Sequence, residues 1–174
     1  MNRRTTLTLT TMALLCITVA FPSGDAAAQQ KTLKEQLAGI WTYVSSEITL
    51  PNGAKQPPRF GGANAKGILI LDASGRYAQI YVRADLPKFK ANNRQQGTPE
   101  ENAAVVHGTT AQLGTWSVDE GSKALIVHIE GSLFPNQAGT DSKRSVTLAG
   151  DDLRISNPEP GSGGRSDSVW KRAK

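Results

Sequence analysis

The sequence is poor in the residues that carry most covalent and metal chemistry. It has one cysteine, Cys16, and two histidines, His107 and His128. A single thiol excludes an internal disulfide framework and any Cys-based metal site, and two histidines so far apart in the chain speak against a histidine-rich metal centre. Four motifs are also missing: the G-x-S-x-G elbow, H-E-x-x-H, the Walker loop and the dinucleotide fingerprint. Gly161-Ser162-Gly163-Gly164 is glycine-rich, but it follows Pro158-Glu159-Pro160 and precedes a strand rather than a helix. It therefore reads as a hairpin loop and not as a phosphate cradle. No cofactor is expected.

Charge is equally undemonstrative. The net charge is +5, and the densest basic cluster is Lys171-Arg172 with Lys174. Nucleic-acid binders concentrate positive charge on one face and interleave aromatics for stacking. Neither pattern is present, so a solvated surface is the better reading, and nucleic acid is not an expected partner.

The first 28 residues read as a cleavable secretion signal. Arg3-Arg4 is followed by an uncharged stretch from Thr5 to Phe21, and Ala26-Ala27-Ala28 supplies the small residues of an A-x-A cleavage site. The uninterrupted apolar part is about 15 residues, short of the ~20 a membrane-spanning helix needs, so an uncleaved anchor is the weaker alternative. Arg3-Arg4 also admits the twin-arginine route. Leu15 is too large for the position before a lipid-attachment cysteine, so Cys16 leaves with the signal. The expectation is a mature chain from Gln29 to Lys174, periplasmic or secreted, without a membrane span after cleavage. A chain of about 146 residues supports one hydrophobic core, hence one domain.

Strand-like segments recur along that chain with turn signals between them. Gly39 to Leu50 ends at Pro51-Asn52-Gly53. Gly67 to Leu71 and Arg76 to Val82 flank Asp72-Ala73-Ser74-Gly75; Thr109 to Val118 and Lys123 to Leu133 flank Asp119-Glu120-Gly121-Ser122; Ser142 to Leu148 and Leu153 to Ser156 flank Gly150-Asp151-Asp152; and Ser166 to Lys171 comes last. Eight strands in sequential order predict an all-β, up-and-down antiparallel barrel, because closing the sheet removes its edges. A two-sheet sandwich is the rival architecture. One connection, Arg83 to Gly108, is too long for a hairpin. Within it Thr98-Pro99-Glu100-Glu101 has the pattern of an N-cap, a first-turn proline and a capping-box glutamate, which predicts a short helix from Pro99 to His107. That segment is either a lid over a ligand mouth or a plain surface excursion.

Leu37-Ala38-Gly39-Ile40-Trp41, with its Gly-x-Trp at the start of the first strand, resembles the opening of lipocalins and other calycins. The closer likeness is to bacterial lipocalin-like domain proteins. It continues through the G-x-L and D-x-x-G-R-Y pattern from Gly67 to Tyr77, a second G-x-W at Gly114-Thr115-Trp116, the stretch from His128 to Asn136, and an arginine followed by L-x-G-D-x-L from Arg144 to Leu153. The resemblance spans about Leu33 to Arg172. It implies an eight-stranded barrel with a central cavity and no particular reaction. It also implies a structural basic residue near the end of the chain packed on Trp41, a role open to Lys171 or Arg172.

Several side chains are candidates for a ligand site. In the segment from Ala124 to Glu130, Ile126, His128 and Glu130 share one strand face and Leu125, Val127 and Ile129 the other; either set can be the inner one. An inward His128 would bring a proton-exchanging imidazole into the lumen. Arg144 is in phase with Val146 and Leu148, and an inward guanidinium needs an acceptor, either Glu130 or a ligand carboxylate or carbonyl. Tyr77, Gln79 and Tyr81 form a polar-aromatic stripe able to contact a ligand. Trp41, Trp116 and Trp170 are expected to plug the closed end. The favoured function is an exported protein that holds a small apolar or amphipathic molecule in the barrel. The alternatives are an isomerase, cyclase or hydratase using His128 or Glu130 with Arg144, and an envelope protein whose barrel is filled by residues such as Ile126, Val146 and Trp116. Binding is favoured over catalysis.

Overall fold

The computed structural model describes residues 31–56, 64–160 and 163–174. The expected signal segment and Gly161-Ser162 of the expected hairpin loop lie outside the described residues.

The barrel strands are β1 (Gly39–Thr49), β3 (Lys66–Leu71), β4 (Arg76–Val82), β5 (Thr109–Asp119), β6 (Ala124–Ser132), β7 (Thr140–Ala149), β8 (Asp152–Asn157) and β9 (Arg165–Arg172). Each is antiparallel to the next, and β1 pairs with β9 as well as with β3, so the eight-stranded sheet closes on itself. Trp41 marks the closure, standing opposite Leu69 on one side and Arg172 on the other. Closure leaves no sandwich edge to protect.

The sequence reading lacked one strand. β2 (Lys55–Gln56) pairs with Ile48 and Thr49. It occupies the edge of β1 beyond Thr42, where β3 has already turned away. The Pro51-Asn52-Gly53 turn returns the chain to that edge, with the amide of Leu50 donating to the carbonyl of Ala54 at 2.8 Å. Two residues carry too little periodicity to be seen in a sequence.

The connections sort by length. Tight turns at Asp72–Gly75, Asp119–Lys123 and Gly150 share one end of the barrel with the start of β1 and the end of β9, while the longer connections share the other. In the first of these turns Gly75 has φ +95°, a conformation that suits glycine, and its amide donates to the carbonyl of Asp72 at 2.9 Å.

The tight-turn end is sealed. Helix α1 (Leu33–Leu37), also absent from the sequence reading, begins at a capping box made by Thr32 and Glu35. Glu120, in the turn between β5 and β6, accepts the amides of Leu33 and Lys34 at 3.0 and 3.1 Å. Leu37 is thereby set into the barrel, where it is fully buried with Trp41, Leu71, Leu125 and Leu153. Each such leucine contributes about 1.5–3 kcal/mol relative to an exposed one.

The expected helix in the long connection forms as α2 (Pro99–Gly108). Thr98 accepts from the Glu101 amide at 3.3 Å and Glu101 accepts from Thr98 at 2.9 Å. Glu101 also accepts the amide of Lys90 at 3.0 Å, pinning the preceding loop to the helix start. No helix among the described residues is long and apolar enough to cross a membrane.

Candidate functional site

The interior is filled from the sealed end up to a layer of aromatic rings. Tyr43, Tyr81 and Trp170 pack mutually, with ring centroids 5.0 to 5.6 Å apart, and the Tyr43 contacts are edge-on, the arrangement that ring quadrupoles favour. Trp170 therefore stands one inward position above the level of Trp41, opposite Tyr43 and Leu153. Of the three tryptophans expected to plug the closed end, Trp41 and Trp116 lie there. Trp170 instead packs one inward step higher, against Tyr43 and Tyr81.

Trp41 and Trp116 are both tied to that end by their indole N–H groups. Trp41 donates to the carbonyl of Leu37 at 2.9 Å and Trp116 to that of Asp72 at 2.8 Å. Arg172, rather than Lys171, lies over Trp41 and donates to the carbonyls of Ala38 and Gln36. Gly39 makes room for it. A Cβ there would come 2.9 Å from Arg172 Nη1, and the φ of +140° disfavours any side chain.

Beside these rings a polar cluster surrounds Arg144, which is 3% exposed. Its Nη1 donates to the Tyr77 hydroxyl at 3.1 Å and to Gln79 Oε1 at 3.0 Å, its Nη2 to Gln112 Oε1 at 3.1 Å, and its Nε to Ser142 Oγ at 3.1 Å. Every one of these acceptors is neutral. The ion pairs among the described residues do not include Arg144. The Tyr77 hydroxyl is 2.9 Å from both Gln79 Oε1 and Gln112 Oε1, and its single proton serves one at a time. Burial pushes the Tyr77 phenol above its usual pKa, with the charge of Arg144 pulling the other way. Burial likewise raises Tyr81. Both phenols remain protonated donors at neutral pH.

This cluster forms the floor of a cavity of about 360 Å³ that opens at the long-loop end. Tyr81, Gln79, Gln112, Arg144 and Ser168 line its lower part, and Ile48 and Ile155 contribute apolar walls. The mouth is made by Val105, Val106 and His107 of α2 on one side and by Leu133 and Phe134, after β6, on the other. Val106 and Leu133 are 66% and 63% exposed, so the rim is an apolar surface facing water. Rim and floor are linked, because Gln112 Nε2 donates to Gln137 Oε1 at 2.8 Å. Of the two roles open to the long connection, the helix borders the mouth.

The structure thus brings Tyr77, Gln79, Tyr81 and Arg144 together. It removes His128 and Glu130 from the site. On β6 the apolar set, Leu125, Val127 and Ile129, takes the interior, which turns Ile126, His128 and Glu130 outward. His128 Nδ1 lies 2.7 Å from Asp141 Oδ1 on the outer surface. Glu130 forms a two-pronged pair with Arg76 at 2.9 Å, and that hydrogen bond holds its carboxyl below the usual pKa. Glu130 is consequently not the partner of Arg144, and an acid–base mechanism built on His128 or Glu130 has neither group in the cavity. Ile126 cannot fill the barrel either, and the upper half of the lumen stays open.

Gln112 and Ser142 are site residues that the sequence reading missed. Both were accessible through phase: Gln112 is in step with inward Trp116 on β5 and stands opposite Gln79 on β4, and Ser142 is in step with Arg144 on β7.

A family model described as "Lipocalin-like domain" matches residues 38–173. Among curated proteins, the 4'-hydroxy-3'-methoxypropiophenone carrier protein ppsC of Aspergillus oryzae (strain ATCC 42149 / RIB 40) is 30% identical over 105 residues, covering 55% of this chain and 94% of that protein.

Proposed function

From the premise that this chain belongs to the lipocalin-like domain family, we propose that it is an exported carrier that holds a small amphipathic molecule in the open half of its barrel. The observation that carries the reading is the cavity itself. Its volume, about 360 Å³, falls in the range of small-molecule sites, which are mostly apolar with a few placed polar groups. Here the apolar groups form the wall and mouth, and the polar groups converge on the floor. A molecule with one polar end and one apolar end matches that gradient.

The similarity to a carrier protein supports the same reading. It also supplies a first probe, 4'-hydroxy-3'-methoxypropiophenone, whose ring carries polar and apolar ends of this kind. The export part rests on Arg3-Arg4, the uncharged stretch from Thr5 to Phe21 and Ala26-Ala27-Ala28.

Native mass spectrometry of the purified full chain, followed by calorimetric titration with amphipathic aromatic probes, tests the carrier reading. A co-purified small molecule or saturable one-to-one binding is expected. Absence of both would sink it. N-terminal sequencing of protein recovered outside the cytoplasm tests export, and a start near Gln29 is expected.

A further inference from the structure

The carrier reading leaves open what kind of polar end the floor accepts. A guanidinium has five N–H donors. Four hydrogen bonds from Arg144 go to Tyr77, Gln79, Gln112 and Ser142, which accounts for Nε, both hydrogens of Nη1 and one of Nη2. One Nη2 hydrogen has no acceptor among the described residues. More important is the charge: Arg144 is 3% exposed, and its acceptors are two amides and two hydroxyls. Neutral dipoles satisfy hydrogen-bond geometry but leave the positive charge uncompensated, and an uncompensated buried charge is costly. The floor of the cavity is where an anion would remove that cost.

The dimensions restrict the anion. Arg144 lies four residues in from the start of β7 at Thr140, Gln112 three in from the start of β5 at Thr109, and Ser168 three in from the start of β9 at Arg165. At ~3.3 Å per residue, and with the ~40° strand tilt of a barrel, the floor is about 7–10 Å below the open ends of these strands. Beside it, Tyr43 and Trp170 pack against Tyr81 and fill the adjoining lumen. That depth takes one six-membered ring with its head group, and a longer tail would extend beyond the strand ends to the exposed apolar rim of Val106 and Leu133.

Resting on the carrier reading, we propose that the cavity selects a compact organic anion, a single-ring carboxylate or phenolate, bound head-first onto Arg144. The ring then lies between Tyr81 and Ile155. Carboxylate and phenolate share the feature that matters, a delocalised oxyanion at the end of a flat ring.

Paired probes test this on the full chain by calorimetry. 4-Ethylbenzoate is compared with 4-ethylbenzamide, and 4'-hydroxypropiophenone, above the pKa of its own phenol, with 4'-methoxypropiophenone. Decanoate reports on length. Charge-assisted hydrogen bonds lead us to expect each anion that fits to bind about tenfold or more tighter than its neutral twin. A preference in one pair only identifies the oxyanion source. Decanoate is expected to bind no tighter than 4-ethylbenzoate. Arg144→Met, checked for a folded barrel by circular dichroism, is expected to erase the preference, and the acid–amide comparison stands on the natural chain if that variant does not fold. Equal binding within both pairs overturns the proposal while leaving the carrier reading intact, and tenfold tighter binding of decanoate overturns its size limit. Failure of every probe to bind counts against both.

Discussion

The guanidinium carbon of Arg172 lies 4.1 Å from the centroid of the Trp41 ring. The last strand thereby clamps the first at the sealed end of the barrel, and the same guanidinium reaches the carbonyl of Gln36 in the last turn of α1 and that of Ala38 between α1 and β1. A cation over an indole contributes about 0.5–2 kcal/mol, and hydrogen bonds from a charged donor about 1.5–3 kcal/mol. Arg172→Ala is expected to lower unfolding free energy by about 2–4 kcal/mol in urea titration. Arg172→Lys should recover only part of this, because an ammonium lacks the flat fork that spans ring and carbonyls.

His128 and Glu130 stand outside the barrel, and their replacement tests that placement. His128→Ala removes an exposed contact with Asp141. Such pairs contribute about 0–1 kcal/mol. Ligand affinity is expected to be unchanged in calorimetry, and a loss of tenfold or more would return His128 to the site.

Gln112→Leu removes an acceptor from Arg144 and Tyr77 and a donor from Gln137. Removing one side of a buried hydrogen bond costs about 1–3 kcal/mol. A fall in stability of that order by chemical denaturation is expected, and a variant as stable as the parent would show that the cluster tolerates its loss.

Acid should loosen α2 before the barrel. The amides of Lys90 and Thr98 hold the Glu101 carboxyl below its ordinary pKa. A carboxylate lowered in the folded state adds stability above its unfolded pKa, and that stability is lost as pH falls through the folded value. The protection factors of the α2 amides, corrected for the intrinsic exchange rate at each pH, are expected to fall on acidification below the normal glutamate range, with the barrel amides still protected. In Glu101→Gln that acid-dependent step should disappear.

Cutting a core leucine tests the sealed end. Leu125 is fully buried, and Leu125→Ala is expected to cost about 2–5 kcal/mol, read as a lowered melting temperature in calorimetry.

The barrel was legible because its signals are local. Alternation on Arg76–Val82, the Asp72–Gly75 turn and the Thr98-Glu101 capping box each depend on a few consecutive residues, and each appears in the structure where the pattern put it. α1 and β2 escaped for the converse reason. Five and two residues respectively are too short to show a period, and each exists through a distant contact: Glu120 accepting the amides that begin α1, and Ile48 and Thr49 pairing with β2.

The site divides along the same line. By itself the sequence determined that Tyr77, Gln79 and Tyr81 share one strand face and that Arg144 shares another with Val146, because strand geometry alternates side chains without help from the rest of the chain. Which faces look inward was decided only when the sheet closed. Closure turned Leu125, Val127 and Ile129 inward and His128 and Glu130 out to water, and it set Gln79 opposite Gln112 beneath the mouth. Burying the larger apolar set outweighs anything a lone histidine gains inside, and that choice is made by the whole barrel at once.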